Sequence, residues 1–155
     1  MKTRFLKLSA FTVVVIAALS LGVFFSCEEK DDNNGKTNNP LINTEWKLIE
    51  FVDVANNTTK IPEPSDSICY RLEFEENLNK LNVHSSTNSL SGEYIINTEN
   101  YSLLIKNLYG TEINELYDGN LFMQGIKNTR YYSVSNNILE LYYNNRQNYL
   151  KFERK

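Results

Sequence analysis

The sequence of 155 residues predicts a mainly β domain from residue 41 onward, an antiparallel β-barrel or a two-sheet sandwich, with one short helix near residues 118–127. Three observations indicate this fold class. Apolar and polar residues alternate in several stretches, as they do in strands that bury one face. Turn-forming residues separate those stretches at intervals of roughly 8 to 12 residues, which is typical of sandwiches and barrels. The chain also has ten tyrosines and eight phenylalanines, which favour strands over helices.

The first strands are predicted from their alternation. Residues 45–54 would turn four apolar side chains inward: Trp46, Leu48, Val52 and Val54. Residues 68–75 would turn Ile68, Tyr70, Leu72 and Phe74 inward, and Cys69, Arg71, Glu73 and Glu75 outward. Three shorter strands follow at residues 81–83, 94–96 and 103–105.

The end of the chain predicts three further strands, at residues 130–135, 138–143 and 149–152. Asn136-Asn137 and the stretch around Asn144-Asn145 separate them. Asparagine tolerates the positive φ that tight hairpin turns require, so these strands are expected to form consecutive hairpins.

One segment has a helical period instead. Leu121, Phe122, Gly125 and Ile126 recur at helical spacing, and Asp118 stands where an N-cap residue would be expected. Glycine weakens an isolated helix. We therefore expect this helix to cover an open end or edge of the sheet, with Gly125 facing the sheet to allow close approach.

The amino-terminal segment 1–26 has the parts of a secretory signal. Three basic residues stand near its start: Lys2, Arg4 and Lys7. Residues 11–25 are mostly apolar and are followed by Ser26 and Cys27. The segment resembles a bacterial lipoprotein signal, which implies cleavage before Cys27 and a lipid on that residue. A transmembrane anchor is the alternative, but the apolar stretch is shorter than the roughly 20 residues that a spanning helix needs.

Residues 27–40 are predicted to form a flexible acidic and Asn-rich tether, because they offer no apolar residue to bury before Pro40. Lys30, Asp31 and Asp32 resemble the surface-export signal of Bacteroidetes-type lipoproteins. That resemblance implies display on the outer face of the outer membrane. A periplasm-facing location is the alternative.

The chain without its signal would be acidic, since loss of the three basic residues changes the formal net charge from −3 to −6. Nucleic-acid binding needs Lys and Arg clustered on one face, so this composition argues against it. Electrostatic docking on anionic lipid is disfavoured for the same reason. Membrane attachment is therefore expected through the lipid on Cys27.

Several short motifs, taken in order, resemble a known family. The motifs are Trp46-Lys47-Leu48, Leu72-Glu73-Phe74, the segment 88–94 and Gly110-Thr111. Together with the helix and the final hairpin they resemble the META/HslJ-like domain, a lipocalin-like β-barrel of bacterial lipoproteins, over residues 41–155. The Asn-x-x-x-Gly-x-Tyr core of that family matches Asn88, Gly92 and Tyr94.

The sequence departs from the family pattern at its cysteines. Thr87 stands where the family has a cysteine before Asn88, and a second family cysteine after Gly110-Thr111 is also absent. No disulfide is therefore implied. Asn88 is expected to hold a turn with its side chain, while Tyr94 enters the core.

No catalytic residue, metal site or cofactor is predicted. Cys69 is expected on the polar face of its strand, where Arg71 could stabilise a thiolate, but a cysteine nucleophile also needs a base. His84 is the only histidine, and it has no further ligands at the short spacing of a zinc site. It is expected at the surface or rim.

Two further features are weak signals. Glu73, Glu75 and Glu76 could suggest the paired carboxylates of a glycosidase, but residues along one strand are expected to face solvent. Asp66-Ser67-Ile68 resembles the short O-glycosylation sequon of Bacteroidetes-type proteins, which makes Ser67 a candidate modification site.

Three function classes follow. The first is a non-enzymatic binding or envelope-maintenance lipoprotein, with a protein partner or a protease as its target. The second is a lipocalin-like carrier of a small apolar ligand, and the third, less favoured, is a hydrolase built around His84. A filled interior would favour the first class, and an interior apolar cavity of about 300 Å³ or more would favour the second.

Overall fold

The computed structural model describes residues 39–66, 68–76 and 79–155. The strands are β1 Thr44–Asp53, β2 Thr58–Lys60, β3 Arg71–Phe74, β4 Lys80–His84, β5 Ser89–Asn97, β6 Ser102–Gly110, β7 Tyr131–Ser135, β8 Ile138–Tyr143 and β9 Asn148–Arg154. The helix α1 is Gly119–Asn128, and a 3-10 turn at Asn144–Arg146 joins β8 to β9.

The strands form a closed antiparallel barrel. Each strand from β3 to β9 pairs with the next along the chain, β1 pairs with β3, and β9 returns to pair with β1. Eight strands thus make the barrel, and β2 extends it by pairing with the last residues of β1. The predicted mainly β fold with one short helix is confirmed, in its barrel form.

The core is filled by side chains from the strands and from one face of the helix. Its largest fully buried members are Trp46, Tyr70, Phe74, Tyr94, Phe122 and Phe152. The ring of Phe122 contacts Tyr70 and Phe152 edge-on, with centroids 5.3 Å and 6.4 Å away. The helix therefore supplies part of the interior packing instead of only lying on the outside.

Helix α1 packs closely on β9 because Gly125 has no side chain. A Cβ atom there would lie 2.8 Å from the nearest side-chain carbon of Leu150, which is fully buried. The predicted helix is confirmed, and Gly125 faces the sheet as expected. Asp118 holds the N-cap position as predicted, although its side chain makes no capping bond to the helix.

Strand β1 contains a bulge that changes which side chains face inward. The register with β9 shifts between Leu48 and Glu50. After the shift Phe51 is buried instead of Val52, and Val54 is 53% exposed beyond the strand. The prediction that Val52 and Val54 continue the inner face of Trp46 is therefore wrong, because one inserted residue reverses the alternation.

Strand β3 begins later than the alternation predicts. Tyr70 has a left-handed backbone with φ of 53°, so the chain turns there and regular pairing starts at Arg71. Ile68 lies before the turn and is 65% exposed, whereas Cys69 is buried. The assignment of Ile68 to the inside and Cys69 to the polar outside is wrong for this reason.

The weakest join in the barrel lies between β6 and β7. Their register has one residue pair, Ser102 with Tyr131, where the β5 and β6 ladder has seven. Backbone bonds from Leu103 to Arg130 and from Tyr132 to Tyr101 support it. Helix α1 connects these two strands along the chain and packs against β6, β8 and β9, so its side chains help to hold this part of the barrel together.

Candidate functional site

Three loops meet where β3 begins, β4 ends, β5 begins and β6 ends. They comprise residues 61–66 with 68–70, residues 85–88, and residues 111–118, and we call them the three-loop surface. Irregular backbone of this kind needs partners for its polar groups. Here side chains supply many of those partners.

Glu115 is the centre of the hydrogen bonding on the three-loop surface. Its carboxylate accepts bonds from four consecutive side chains of the 85–88 loop: Ser85, Ser86, Thr87 and Asn88. The Ser86 hydroxyl lies 2.8 Å away, the Thr87 hydroxyl 3.0 Å and the Asn88 amide nitrogen 2.8 Å. Partial burial opposes ionisation of the Glu115 carboxyl, but the four hydrogen bonds outweigh it and lower its pKa.

Asn88 joins the same two loops through the backbone. Its Nδ2 donates to the carbonyl of Ile113 at 2.7 Å, and its Oδ1 accepts from the amide of Ile113 at 2.8 Å. The Asn88 side chain thus bonds both backbone groups of Ile113, 25 positions away, as the backbone of a neighbouring strand would. The sequence predicts a local turn held by Asn88, and the structure adds this distant contact.

Asp118 fastens the third loop. Its carboxylate accepts the amide of Glu63 at 2.8 Å and pairs with Lys60. Its own amide donates to the carbonyl of Glu63 at 3.2 Å. The residue expected to cap the helix therefore ties the loop after β2 to the start of α1.

The three-loop surface exposes large apolar side chains although its backbone is well bonded. The exposed fractions are 73% for Tyr117, 70% for Ile61, 65% for Ile68, 62% for Ile113 and 56% for Leu116. Exposed acidic residues stand among them: Glu63, Asp66 and Glu112. In the described part of the chain, these three carboxylates take part in no ion pair. Apolar patches with a polar rim are typical of binding surfaces.

The other matched motif residues lie in the barrel wall and core. Trp46 is fully buried, and its indole N–H donates to the Thr44 hydroxyl at 2.7 Å. Tyr94 is buried against Phe74, and its hydroxyl accepts a 2.9 Å bond from the Asn39 side chain.

Gly92 allows close approach of strand β6. It sits at the bulge between β5 and β6, where a Cβ atom would lie 2.8 Å from Leu108 and 2.9 Å from the Lys106 carbonyl.

Cys69 and His84 occupy separate environments. The Cys69 thiol is buried beside the carbonyl of Ser86, and burial raises its pKa. The expectation that Cys69 lies on the polar face is therefore wrong. His84 Nδ1 lies 3.0 Å from the Ser89 hydroxyl, and its opposite neighbour on β3 is Arg71. His84 borders none of the five cavities outlined by the described residues.

Glu73 of β3 lines an open acidic groove of about 380 Å³ together with Glu45, Glu75 and Glu76. The Asn82 side chain donates to Glu75 at 2.9 Å and to Glu73 at 3.4 Å. Within the described ranges, no group of three or more His, Cys, Asp or Glu residues is arranged to hold a metal ion.

The predicted lipid and modification sites fall outside the description. Cys27, Lys30, Asp31, Asp32 and Ser67 are not among the described residues. The described residues include no helix long and apolar enough to cross a membrane.

Sequence reasoning missed Glu115 and the segment around it. The available signal was the run of Ile113, Leu116 and Tyr117, which is apolar but has neither a strand nor a helix period. Such residues on a loop indicate either burial or binding, and the structure shows them exposed.

No known family model matches this chain, and no curated protein matches it significantly in sequence. Two solved structures share its fold. One is the solution structure of a protein from Burkholderia xenovorans, with a TM-score of 0.60, 17% identity, and coverage of 74% of this chain and 83% of that one. The other is a DUF4847 family protein from Bacteroides vulgatus, with a TM-score of 0.57, 13% identity, and coverage of 74% and 94%. At these identities the likeness concerns the fold.

Proposed function

We propose that this protein is a lipid-anchored cell-envelope protein of the META/HslJ-like kind, which binds a protein partner through the three-loop surface and carries out no catalysis. The partner would be a structural envelope protein or a protease held by the exposed loops. The observation behind this proposal is a filled barrel whose most exposed large apolar side chains lie mainly on hydrogen-bonded loops.

The packing of the barrel favours an external binding site. Aromatic and aliphatic side chains from the eight barrel strands and α1 occupy the described interior. Five cavities outlined by the described residues open to solvent. A lipocalin-like carrier would need enclosed apolar space inside the barrel, so the packing speaks for surface binding over the carrier alternative.

The character of the three-loop surface favours a protein as the occupant. Glu115, Asn88 and Asp118 hold the loops in position, so ordering them on binding has a small entropic cost. Anionic lipid would be repelled by Glu63, Asp66 and Glu112. We therefore expect a partner with an apolar patch bordered by Lys or Arg.

The lipid anchor would hold the three-loop surface near other envelope proteins. Cleavage before Cys27, acylation of that residue and export directed by Lys30, Asp31 and Asp32 belong to this proposal. Protease shaving of intact cells separates the two orientations, because only a surface-displayed chain is removed. Replacing Cys27 with Ser is expected to release the chain from the membrane fraction.

The binding proposal is tested by crosslinking in intact cells followed by capture of the full chain. A Leu116→Ser/Tyr117→Asn double variant removes two apolar contacts, and asparagine suits the left-handed backbone of Tyr117, whose φ is 49°. Val54→Ser is the matched control, because Val54 is 53% exposed but lies in the turn after β1.

We expect a specific protein to be recovered with the unaltered chain and with Val54→Ser, and to be lost with the double variant. That protein, once purified, should bind the full chain more weakly as salt concentration rises. Equal recovery with both variants would contradict the proposed surface. Glu112→Gln should weaken binding less than the double variant, since a rim charge mainly alters the association rate.

A further inference from the structure

A second surface lies at the weak join between β6 and β7, away from the three-loop surface. Two open cavities of about 500 Å³ and 470 Å³ flank this join, and both are bordered by Tyr131 and Arg146. Arg130 lines the first cavity, and Tyr101 and Tyr142 line the second. We call these five residues and the space between them the tyrosine–arginine groove.

The turn between β8 and β9 aims an arginine at this groove. Asn144, Asn145 and Arg146 have left-handed backbones, with φ of 48°, 53° and 65°. Asparagine adopts this conformation readily, but an arginine seldom does. The guanidinium of Arg146 consequently lies over the ring of Tyr131, 4.3 Å from its centroid. Strained residues of this kind cluster at binding sites.

Among the described residues, the two arginines of the groove form no ion pair with a carboxylate. The four ion pairs among the described residues involve Lys60, Arg71, Lys106 and Lys151. Arg130 donates one N–H to the carbonyl of Thr129 at 2.7 Å. Its other guanidinium N–H groups remain available to a ligand. Because the chain is acidic overall, two guanidinium groups without acids in one cavity indicate a site for an anion.

The remaining lining indicates a ligand with a ring and hydroxyl groups. Tyr101 is 59% exposed and Tyr131 is 37% exposed, so both rings can contact a ligand. Ser102, Ser133 and Asn145 add short polar side chains beside those rings. A sugar suits this lining, because its ring can stack on a tyrosine face while its hydroxyl groups bond the polar side chains beside it.

We propose that the tyrosine–arginine groove binds a carboxylated sugar, with the carboxylate on Arg146 and Arg130 and the sugar ring on Tyr131 or Tyr101. A planar guanidinium matches a carboxylate with two parallel hydrogen bonds. Two adjoining cavities that share Arg146 give room for more than one sugar unit.

A densely charged polymer fits the groove less well. A nucleic acid carries one charge per nucleotide, whereas the groove offers two cations in an acidic chain. The carboxylate of Glu140, which accepts a hydrogen bond from the Tyr142 hydroxyl, adds negative charge at the rim. A ligand with widely spaced carboxylates avoids this repulsion.

The test measures binding of oligosaccharides to the full chain in detergent by calorimetry. The probes are oligomers that contain glucuronate, galacturonate or sialate, the methyl ester of each, and a single-stranded DNA of similar length. We expect at least one carboxylated probe to bind and its methyl ester to bind about tenfold or more weakly. DNA is expected to bind weakly or not at all.

Two arginine variants locate the site. Arg146→Asn keeps a residue that accepts the left-handed backbone, and Arg130→Gln keeps a hydrogen-bonding side chain. Each should weaken binding of the carboxylated probe about tenfold, whereas Lys106→Gln, an equal change of charge elsewhere on β6, should leave it within about twofold.

Three results would overturn the proposal: binding of no carboxylated probe, equal binding of the methyl ester, or equal binding of DNA. Unchanged affinity in both arginine variants would do the same. The outcome is separate from the proposed partner binding, because the Leu116→Ser/Tyr117→Asn variant leaves every residue of the groove in place.

Discussion

The three-loop surface and the tyrosine–arginine groove are held together in opposite ways. On the three-loop surface the backbone is irregular, and Glu115 and Asn88 connect it through side-chain hydrogen bonds. The groove lies where two strands pair weakly, since β6 and β7 share one register pair, and α1, which links them along the chain, packs against β6, β8 and β9. Polar side chains can thus make a loop rigid, while apolar packing keeps an underpaired sheet closed.

The two surfaces also share one backbone feature. Of the eleven non-glycine residues with positive φ in the described ranges, seven are asparagines. The four others are Tyr70, Tyr117, Tyr101 and Arg146. Tyr70 and Tyr117 belong to the three-loop surface, and Tyr101 and Arg146 belong to the groove. Strained backbone of this kind is concentrated at functional sites.

The comparison predicts that apolar packing matters most where α1 meets the barrel core. Phe122→Ala should lower the free energy of unfolding by about 3 to 5 kcal/mol, because it empties space between Tyr70 and Phe152. Urea unfolding followed by the fluorescence of Trp46, the single tryptophan, measures this. The exposed Gln124→Ala on the same helix should change stability by less than about 0.5 kcal/mol. Similar small losses in both variants would break the comparison.

Hydrogen bonding should matter most on the three-loop surface. Glu115→Gln keeps the shape of the side chain but turns one acceptor into a donor facing hydroxyl groups. We expect a loss of about 1.5 to 3 kcal/mol and faster amide hydrogen exchange at Ile113, which Asn88 holds. Glu112→Gln, on the exposed part of the same loop, is the control. Unchanged exchange at Ile113 would show that Glu115 does not order the loop.

The close approach of α1 to β9 can be tested at Gly125. Alanine would improve helix propensity by about 1 kcal/mol, but its Cβ would crowd Leu150, which usually costs about 1 to 3 kcal/mol. The expected net loss is about 1 kcal/mol. Adding Leu150→Val should recover part of it in a double-mutant cycle, since both changes act on one contact. Simple additivity of the two losses would contradict the contact.

Acid should loosen the three-loop surface before the groove. Burial opposes ionisation of Glu115, but its hydrogen bonds lower its pKa below the usual 4.5. The stabilisation is therefore fully present above that pH and is lost as pH falls through the lowered value. The stability difference between the unaltered chain and Glu115→Gln should shrink below pH 4.5 in urea unfolding. A difference that stays constant with pH would assign the stabilisation to something other than the carboxylate.

The smallest effect is expected at Arg146. Its guanidinium has no ion-pair partner among the described residues, and asparagine accepts positive φ, so Arg146→Asn should change stability by less than about 0.5 kcal/mol. Arg146→Val should be worse by about 1 to 2 kcal/mol, because a β-branched residue is strained in the left-handed region. Equal stability of the two variants, measured by thermal unfolding, would show that the turn relaxes.

The sequence predicts best where local chemistry marks both ends of an element. Residues 138–143 are predicted as a strand, and β8 is Ile138–Tyr143. The helix predicted near 118–127 is Gly119–Asn128. Asn136, Asn144 and Asn145 all have the positive φ expected of hairpin turns. Turn chemistry and hydrophobic period act over a few residues, so they can be read without knowledge of the fold.

The errors come from contacts with distant residues. The alternation in β1 fails after Leu48 because pairing with β9 introduces a bulge. Cys69 is buried because the chain turns at Tyr70 before joining β1 and β4. Asp118 holds the N-cap position of α1, but distant contacts direct its side chain to Glu63 and Lys60. Strand β2 was missed because Thr58–Lys60 is exposed and has no apolar alternation.

By itself, the sequence determined that the domain is mainly β, where its hairpins turn, and where a single helix interrupts them. Only the tertiary structure decided that Glu115 meets the 85–88 loop and that Arg146 stands over Tyr131. Such contacts depend on closing β9 onto β1, which brings together residues as far apart as Glu50 and Lys151. Local propensities carry no information about a closure that is favourable only when all eight strands pack around one core.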